Sequence, residues 1–178
     1  MLWENGTPTD LGNLGGINNN QAQFINNRGQ VVGLSDLSGD LTGHAFLWQN
    51  GVMSDLGTLP GDASSAGFAI SERGQIVGQS CDASLNCRAF FWQDGVMTDL
   101  NTLTADSPLY LVVAYGINSG GEITGLGITS TGEAHAYLAT PGGGKVGGKY
   151  EPALPENLRQ LIQQRLHRGR FQVQTGAQ

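Results

Sequence analysis

The sequence predicts an all-β protein of tandem four-stranded antiparallel units in a β-propeller-like array, and three observations carry that prediction. A hydrophobic pair recurs as Leu2-Trp3, Leu47-Trp48, Phe91-Trp92 and, degenerately, Leu138-Ala139, at separations of 45, 44 and 47 residues. Periods in this range belong to propeller blades and related toroids. Each of the first three pairs runs into Asn5-Gly6, Asn50-Gly51 or Asp94-Gly95, dipeptides that supply the two left-handed residues of a tight hairpin. Glycine accounts for 28 of 178 residues while charged residues make up only 13%, a composition suited to many turns.

The repeat domain covers 1–140 and opens on a partial unit, 2–11, in which Leu2-Trp3 and Thr9-Asp10-Leu11 flank the Asn5-Gly6 turn. The first full unit spans 22–56. Phe24-Ile25 leads to a turn at Arg28-Gly29 and out through Gln30–Gly33. The segment Asp36–Gly43 reads as a polar hairpin tip, because it lacks the dense alternation and terminal glutamate of a calcium loop. Ala45–Gln49, Asn50-Gly51 and Val52–Leu56 complete the unit. Gly57–Gly61, with Pro60, cannot sit in a central strand and marks a crossing to the next unit.

The second unit, 66–100, repeats the order: Ala66–Ile70, a turn at Arg73-Gly74, Gln75–Ser80, Phe91-Trp92, Asp94-Gly95 and Val96–Leu100. Cys81 and Cys87 lie in a short loop between two of its strands, where the context favours a disulfide over a pair of free thiols. Two cysteines without nearby partner ligands make a poor zinc site. The third unit, 113–139, is reached through 101–112, which replace the Leu-Pro-Gly crossing, and no Asn-Gly hairpin follows Leu138. The first strand of each unit is rich in Ala and Gly, as the innermost strand of a crowded array must be.

This phase leaves strands three and four at the start and strands one to three at the end, so Thr9-Asp10-Leu11 matches the strand missing after Tyr137. Three closures are compatible with about three units: a segment of a longer array, two chains completing one ring as a homodimer, or a β-trefoil-like threefold barrel. Beyond the repeats, 141–150 form a Gly-rich linker. The basic tail 151–178 carries a short amphipathic helix opened by Pro155 and Glu156, with Leu158, Leu161, Ile162 and Leu166 on one face.

Charge separates the two parts. Residues 1–140 hold three Lys or Arg against 13 Asp or Glu, whereas 141–178 hold six against two. The acidic body repels phosphate backbones, which argues against a nucleic-acid partner, and the tail is expected to dock on that body. No apolar run is long enough for a membrane span, and no basic-then-apolar leader precedes the first strand. Nothing in the pattern asks for a cofactor or a metal.

The run His44-Ala45-Phe46-Leu47-Trp48, followed by Asn50-Gly51, Asp55-Leu56-Gly57, Leu59-Pro60-Gly61 and then Gly74–Gly78, resembles the HAF repeat family of bacterial proteins. The resemblance covers roughly residues 2–139. It implies export to an extracellular or periplasmic location, repeat architecture and no established enzymatic activity. The namesake triplet departs from the pattern in the second unit: His44-Ala45-Phe46, Arg88-Ala89-Phe90 and His135-Ala136-Tyr137.

Three sets of residues occupy equivalent positions. His44, Arg88 and His135 begin the third strand and are candidate ligand-facing groups. Asp10, Asp55 and Asp99 end the fourth, where a short carboxylate sets the crossing loop by accepting from backbone N–H groups. Converging on a rim, the same carboxylates would suit a hydrolase. Trp3, Trp48 and Trp92 read as packing residues, with stacking on sugars as the alternative. The function expected is a non-catalytic binding or scaffolding module for a carbohydrate or protein ligand, with a rim-carboxylate hydrolase or a purely structural segment of a larger surface protein as alternatives.

Overall fold

A computed structural model describes residues 2–4, 7–104 and 107–142, with side chains from Pro8 onward. Most of the Gly-rich linker and the whole tail, with its expected helix and docking, lie outside the described residues. Among those described the chain is all-β, its one helical segment being a 3-10 turn at Leu100–Thr102.

A hairpin of β1 (Leu2–Glu4) and β2 (Thr7–Thr9) comes first. The first large sheet is a meander of β3 (Gly15–Ile25), β4 (Val31–Leu37), β5 (Gly43–Gln49) and β6 (Val52–Asp55). The second repeats it with β7 (Ser64–Ile70), β8 (Ile76–Cys81), β9 (Cys87–Gln93) and β10 (Val96–Asp99). The third has three strands, β11 (Leu109–Ile117), β12 (Ile123–Thr129) and β13 (Ala134–Ala139). All these strand pairings are antiparallel. The turns explain the order: Asn50 and Gly51 have φ of 52° and 82°, and Asp94 and Gly95 have 51° and 88°, the backbone that a two-residue hairpin requires.

The sheets stack face to face in chain order. Val32, Ala45 and Leu47 of the first meet Ile70, Ile76 and Phe90 of the second, with Leu59 of the crossing loop between them. The opposite face of the second sheet, Ala69, Val77 and Ala89, meets Leu111, Ala114 and Ile123 of the third, with Leu100. Period-two alternation thus divides the first three strands of the second sheet between two cores. Each large side chain buried this way contributes about 2 kcal/mol. On its far side the first sheet buries Val31, Phe46 and Trp48 under Leu11, Leu14 and Met53.

A glycine under an aromatic ring recurs in each of the three larger sheets. Gly33, Gly78 and Gly125 pair across strands with Phe46, Phe90 and Tyr137. A Cβ on any of them would overlap a carbonyl oxygen of the first strand, that of Gln21, Ala66 or Val113, and would press on the ring. Those first strands each bulge opposite the glycine, between Ala22 and Phe24, Gly67 and Ala69, and Ala114 and Gly116. The Gly of the Gln-Ile-Val-Gly phrase is therefore a site of close backbone approach. Burial pushes the Tyr137 phenol well above its ordinary range, and its hydroxyl donates to the Val113 carbonyl at 3.2 Å.

Cys81 and Cys87 face each other across β8 and β9 and form the expected disulfide, buried with Tyr110, Val112 and Ile128. Its loop is short, so replacing both cysteines by alanine is expected to cost about 2 kcal/mol of stability. Urea unfolding checks this: the midpoint should fall while the slope stays that of the parent.

No sheet closes among the described residues. Thr7–Thr9 pair with Leu2–Glu4, and β13 pairs with β12 alone. No helix among them is long and apolar enough to cross a membrane.

Candidate functional site

Two regions collect polar side chains at repeated positions: an outer rim, where third strands begin and fourth strands end, and an inner edge, formed by the first strands.

On the outer rim His44 Nδ1 lies 3.0 Å from both carboxylate oxygens of Asp55. At the equivalent place Arg88 donates from Nη1 to Asp99 Oδ2 at 3.2 Å. Its Nη2 also reaches the Pro60 carbonyl at 3.1 Å and Asp62 Oδ1 at 2.8 Å. Burial alone would lower the Arg88 pKa, but the hydrogen bond and charge of Asp62, with the charge of Asp99, more than offset this and raise it. The exchange of histidine for arginine in the second triplet follows from this geometry. A planar fork can hold two carboxylates and a carbonyl at once, whereas an imidazole facing one carboxylate cannot. His135 is exposed at the start of β13, on the face it shares with Tyr137, and has no fourth strand beside it among the described residues. His44 and Arg88 thus point to aspartates of their own sheets rather than to a shared centre.

The aspartates hold the loops that follow them. Asp10 Oδ1 accepts from Gly12 N at 3.0 Å, Asp55 Oδ1 from Gly57 N at 2.7 Å and Asp99 Oδ1 from Asn101 N at 2.9 Å. Each caps a turn two residues on. Among the described residues no group of three or more His, Cys, Asp or Glu stands together as a metal site would need. Trp48 is buried and Trp92 half-buried, packed in the cores on matching faces of their sheets. Trp3 lies in β1, with its side chain outside the described residues.

The inner edge is where the structure adds something the sequence pattern did not single out. β3, β7 and β11 are edge strands of their sheets; β7 packs against β3, and β11 against β7. The extra residue of each bulge is Gln23, Phe68 and Tyr115. The rings of Phe68 and Tyr115 stand 5.7 Å apart at 47°, a favourable tilted contact. Along β3, Gln23 Nε2 donates to Gln21 Oε1 at 3.3 Å and Gln21 Nε2 to Asn19 Oδ1 at 2.7 Å. Amides therefore line up along an edge strand with no further partner among the described residues, and the strand packed against it, β7, carries one ring of an aromatic pair whose Tyr115 is 45% exposed. One sequence feature marks this place: the run Asn18–Gln21 is polar on both faces of what proves to be a strand.

No family model matches the chain, and neither a curated protein nor a solved structure does.

Proposed function

We propose that the chain is a non-catalytic binding or scaffolding module of the HAF-repeat type, acting outside the cell or in the periplasm, with a carbohydrate-class ligand along the inner edge. The observation that carries this is the alignment of Gln23, Phe68 and Tyr115 at one level on adjacent edge strands, continued by the amide ladder to Asn19. Amides offer both donors and acceptors to sugar hydroxyls, and an exposed ring offers its face to sugar C–H groups. A rim of catalytic carboxylates is disfavoured, because all three aspartates accept from their own loops and two of them are engaged by His44 and Arg88. The disulfide fits an oxidising compartment. The stacked meanders support a β-propeller-like array, and completion of the ring by a second copy belongs to the same reading.

A glycan panel probed with the full chain tests it. Binding of at least one oligosaccharide is expected, and Tyr115→Ala should weaken it about tenfold, the size of one lost aromatic contact, while loss of the Phe68 contact lowers the melting temperature by no more than about 4 °C. A panel with no binding above background would remove the carbohydrate reading.

A further inference from the structure

The free edge of β13 carries an inference about assembly. In the first two sheets the third strand is covered by a fourth, β6 on β5 and β10 on β9, and β13 has no such cover among the described residues. An uncovered edge of this kind is a template for another strand.

The sequence also holds a segment of fourth-strand type ahead of the first large sheet. Thr9-Asp10-Leu11 repeats Ser54-Asp55-Leu56 and Thr98-Asp99-Leu100. The outer-rim pairs point the same way. His44 faces Asp55 and Arg88 faces Asp99, and His135 and Asp10 hold the same two repeat positions in β13 and after β2. We propose that Thr7–Leu11 of a second copy adds to the edge of β13 as its fourth strand, setting its Asp10 beside His135. This rests on the propeller-like stacking proposed above and names the contact that joins the copies.

Two observations favour a second copy over the chain's own strand. Leu11 and Leu14 pack on the face of the first sheet that is turned away from the second, and the third sheet lies beyond the second. The chain's own β2 and β13 therefore stand at opposite ends of the stack. Moreover, Leu14 N donates to Ser35 Oγ at 2.8 Å just as Leu59 N donates to Ser80 Oγ at 3.0 Å. The segment after β2 thus crosses onto the first sheet as the segment after β6 crosses onto the second. A neighbour's third sheet fits where a preceding sheet would stand. In doing so β13 takes the place that Leu2–Glu4 hold beside β2, so a strand of six residues replaces one of three. The contact is head to tail, and two copies making it reciprocally close a ring.

The register specifies the test. Leu47 lies opposite Ser54, so Leu138 should lie opposite Thr9 of the second copy. Two full-length variants, Leu138→Cys and Thr9→Cys, both at exposed positions, are mixed and oxidised. A disulfide-linked dimer is expected from the mixture and not from either variant alone, and the native particle should weigh at least two copies of the 18.7 kDa chain. His135→Asp should weaken association about fivefold, and Asp10→His in the same chain should restore it. A monomer at micromolar concentration would overturn both this contact and closure by a second copy. A multimer with no cross-link, or a double variant that closes within one chain, would overturn the contact alone. Glycan binding at the inner edge is read separately and does not depend on either result.

Discussion

Gly78→Ala is expected to lower stability by about 3 kcal/mol, seen as a fall in melting temperature of roughly 10 °C. The glycine sits in the middle of the second sheet, directly under Phe90 and against the bulge of β7. A Cβ there would overlap the Ala66 carbonyl oxygen and stand 2.8 Å from the Phe90 ring. Neither neighbour can give way cheaply: the first is backbone held by the bulge, and Phe90 is fully buried in the core between the first two sheets. A control separates this from the general effect of replacing a strand glycine. At Gly67, directly across the ladder, a Cβ would meet nothing nearer than 3.5 Å, so Gly67→Ala should change stability by less than about 1 kcal/mol. Equal losses at the two positions would remove the close-approach explanation for the repeated glycine.

Arg88→Met is expected to cost a similar amount, about 3 kcal/mol. Its partner Asp62 has a side chain only 4% exposed, so removing the guanidinium leaves a carboxylate out of water with its cation gone. The loss comes from that stranded charge more than from the pair itself. Replacing both members, Arg88→Met with Asp62→Leu, should therefore recover most of the stability. Arg88→His, which restores the residue type of the other triplets, should fall between, because an imidazole can meet Asp99 as His44 meets Asp55 but cannot also reach Asp62 and Pro60. Urea unfolding of the four proteins measures the series. A double variant as unstable as the single one would show that the stranded Asp62 charge is not the source of the loss.

Much of the construction was legible along the chain. The Asn50-Gly51 and Asp94-Gly95 turns need only their own two residues in left-handed conformation, so the sequence predicts those hairpins by itself. The Gln-Ile-Val-Gly phrase marked a strand correctly. Its reason for ending in glycine was hidden, because the atoms that exclude a Cβ belong to Ala66 and Phe90, twelve residues away on either side. The polar run Asn18–Gln21 lies inside β3, an 11-residue strand. Pattern reading began that strand at Ala22, since alternating burial is the usual mark of a strand and this one is exposed on much of its length. Gln23, Phe68 and Tyr115 share a role but no residue type, which is why the inner edge did not emerge from the repeat. Bulge residues escape the ladder, so their identity is not constrained by cross-strand pairing.

The amino-acid sequence determined what depends on near neighbours: the all-β class, the order of strands within each meander, the hairpin turns, the disulfide across a short loop and the aspartates that fold back on their own crossings. Turn conformation and loop length are settled within a few residues, so they can be read locally. The tertiary structure decided which faces meet, where the bulges fall, that Arg88 answers Asp62 across 26 residues, and that among the described residues no fourth strand covers the edge of β13. These depend on burying both faces of one sheet between two others, about one repeat before and after it. A strand's sequence states how apolar each face is, and only packing states what that face lies against.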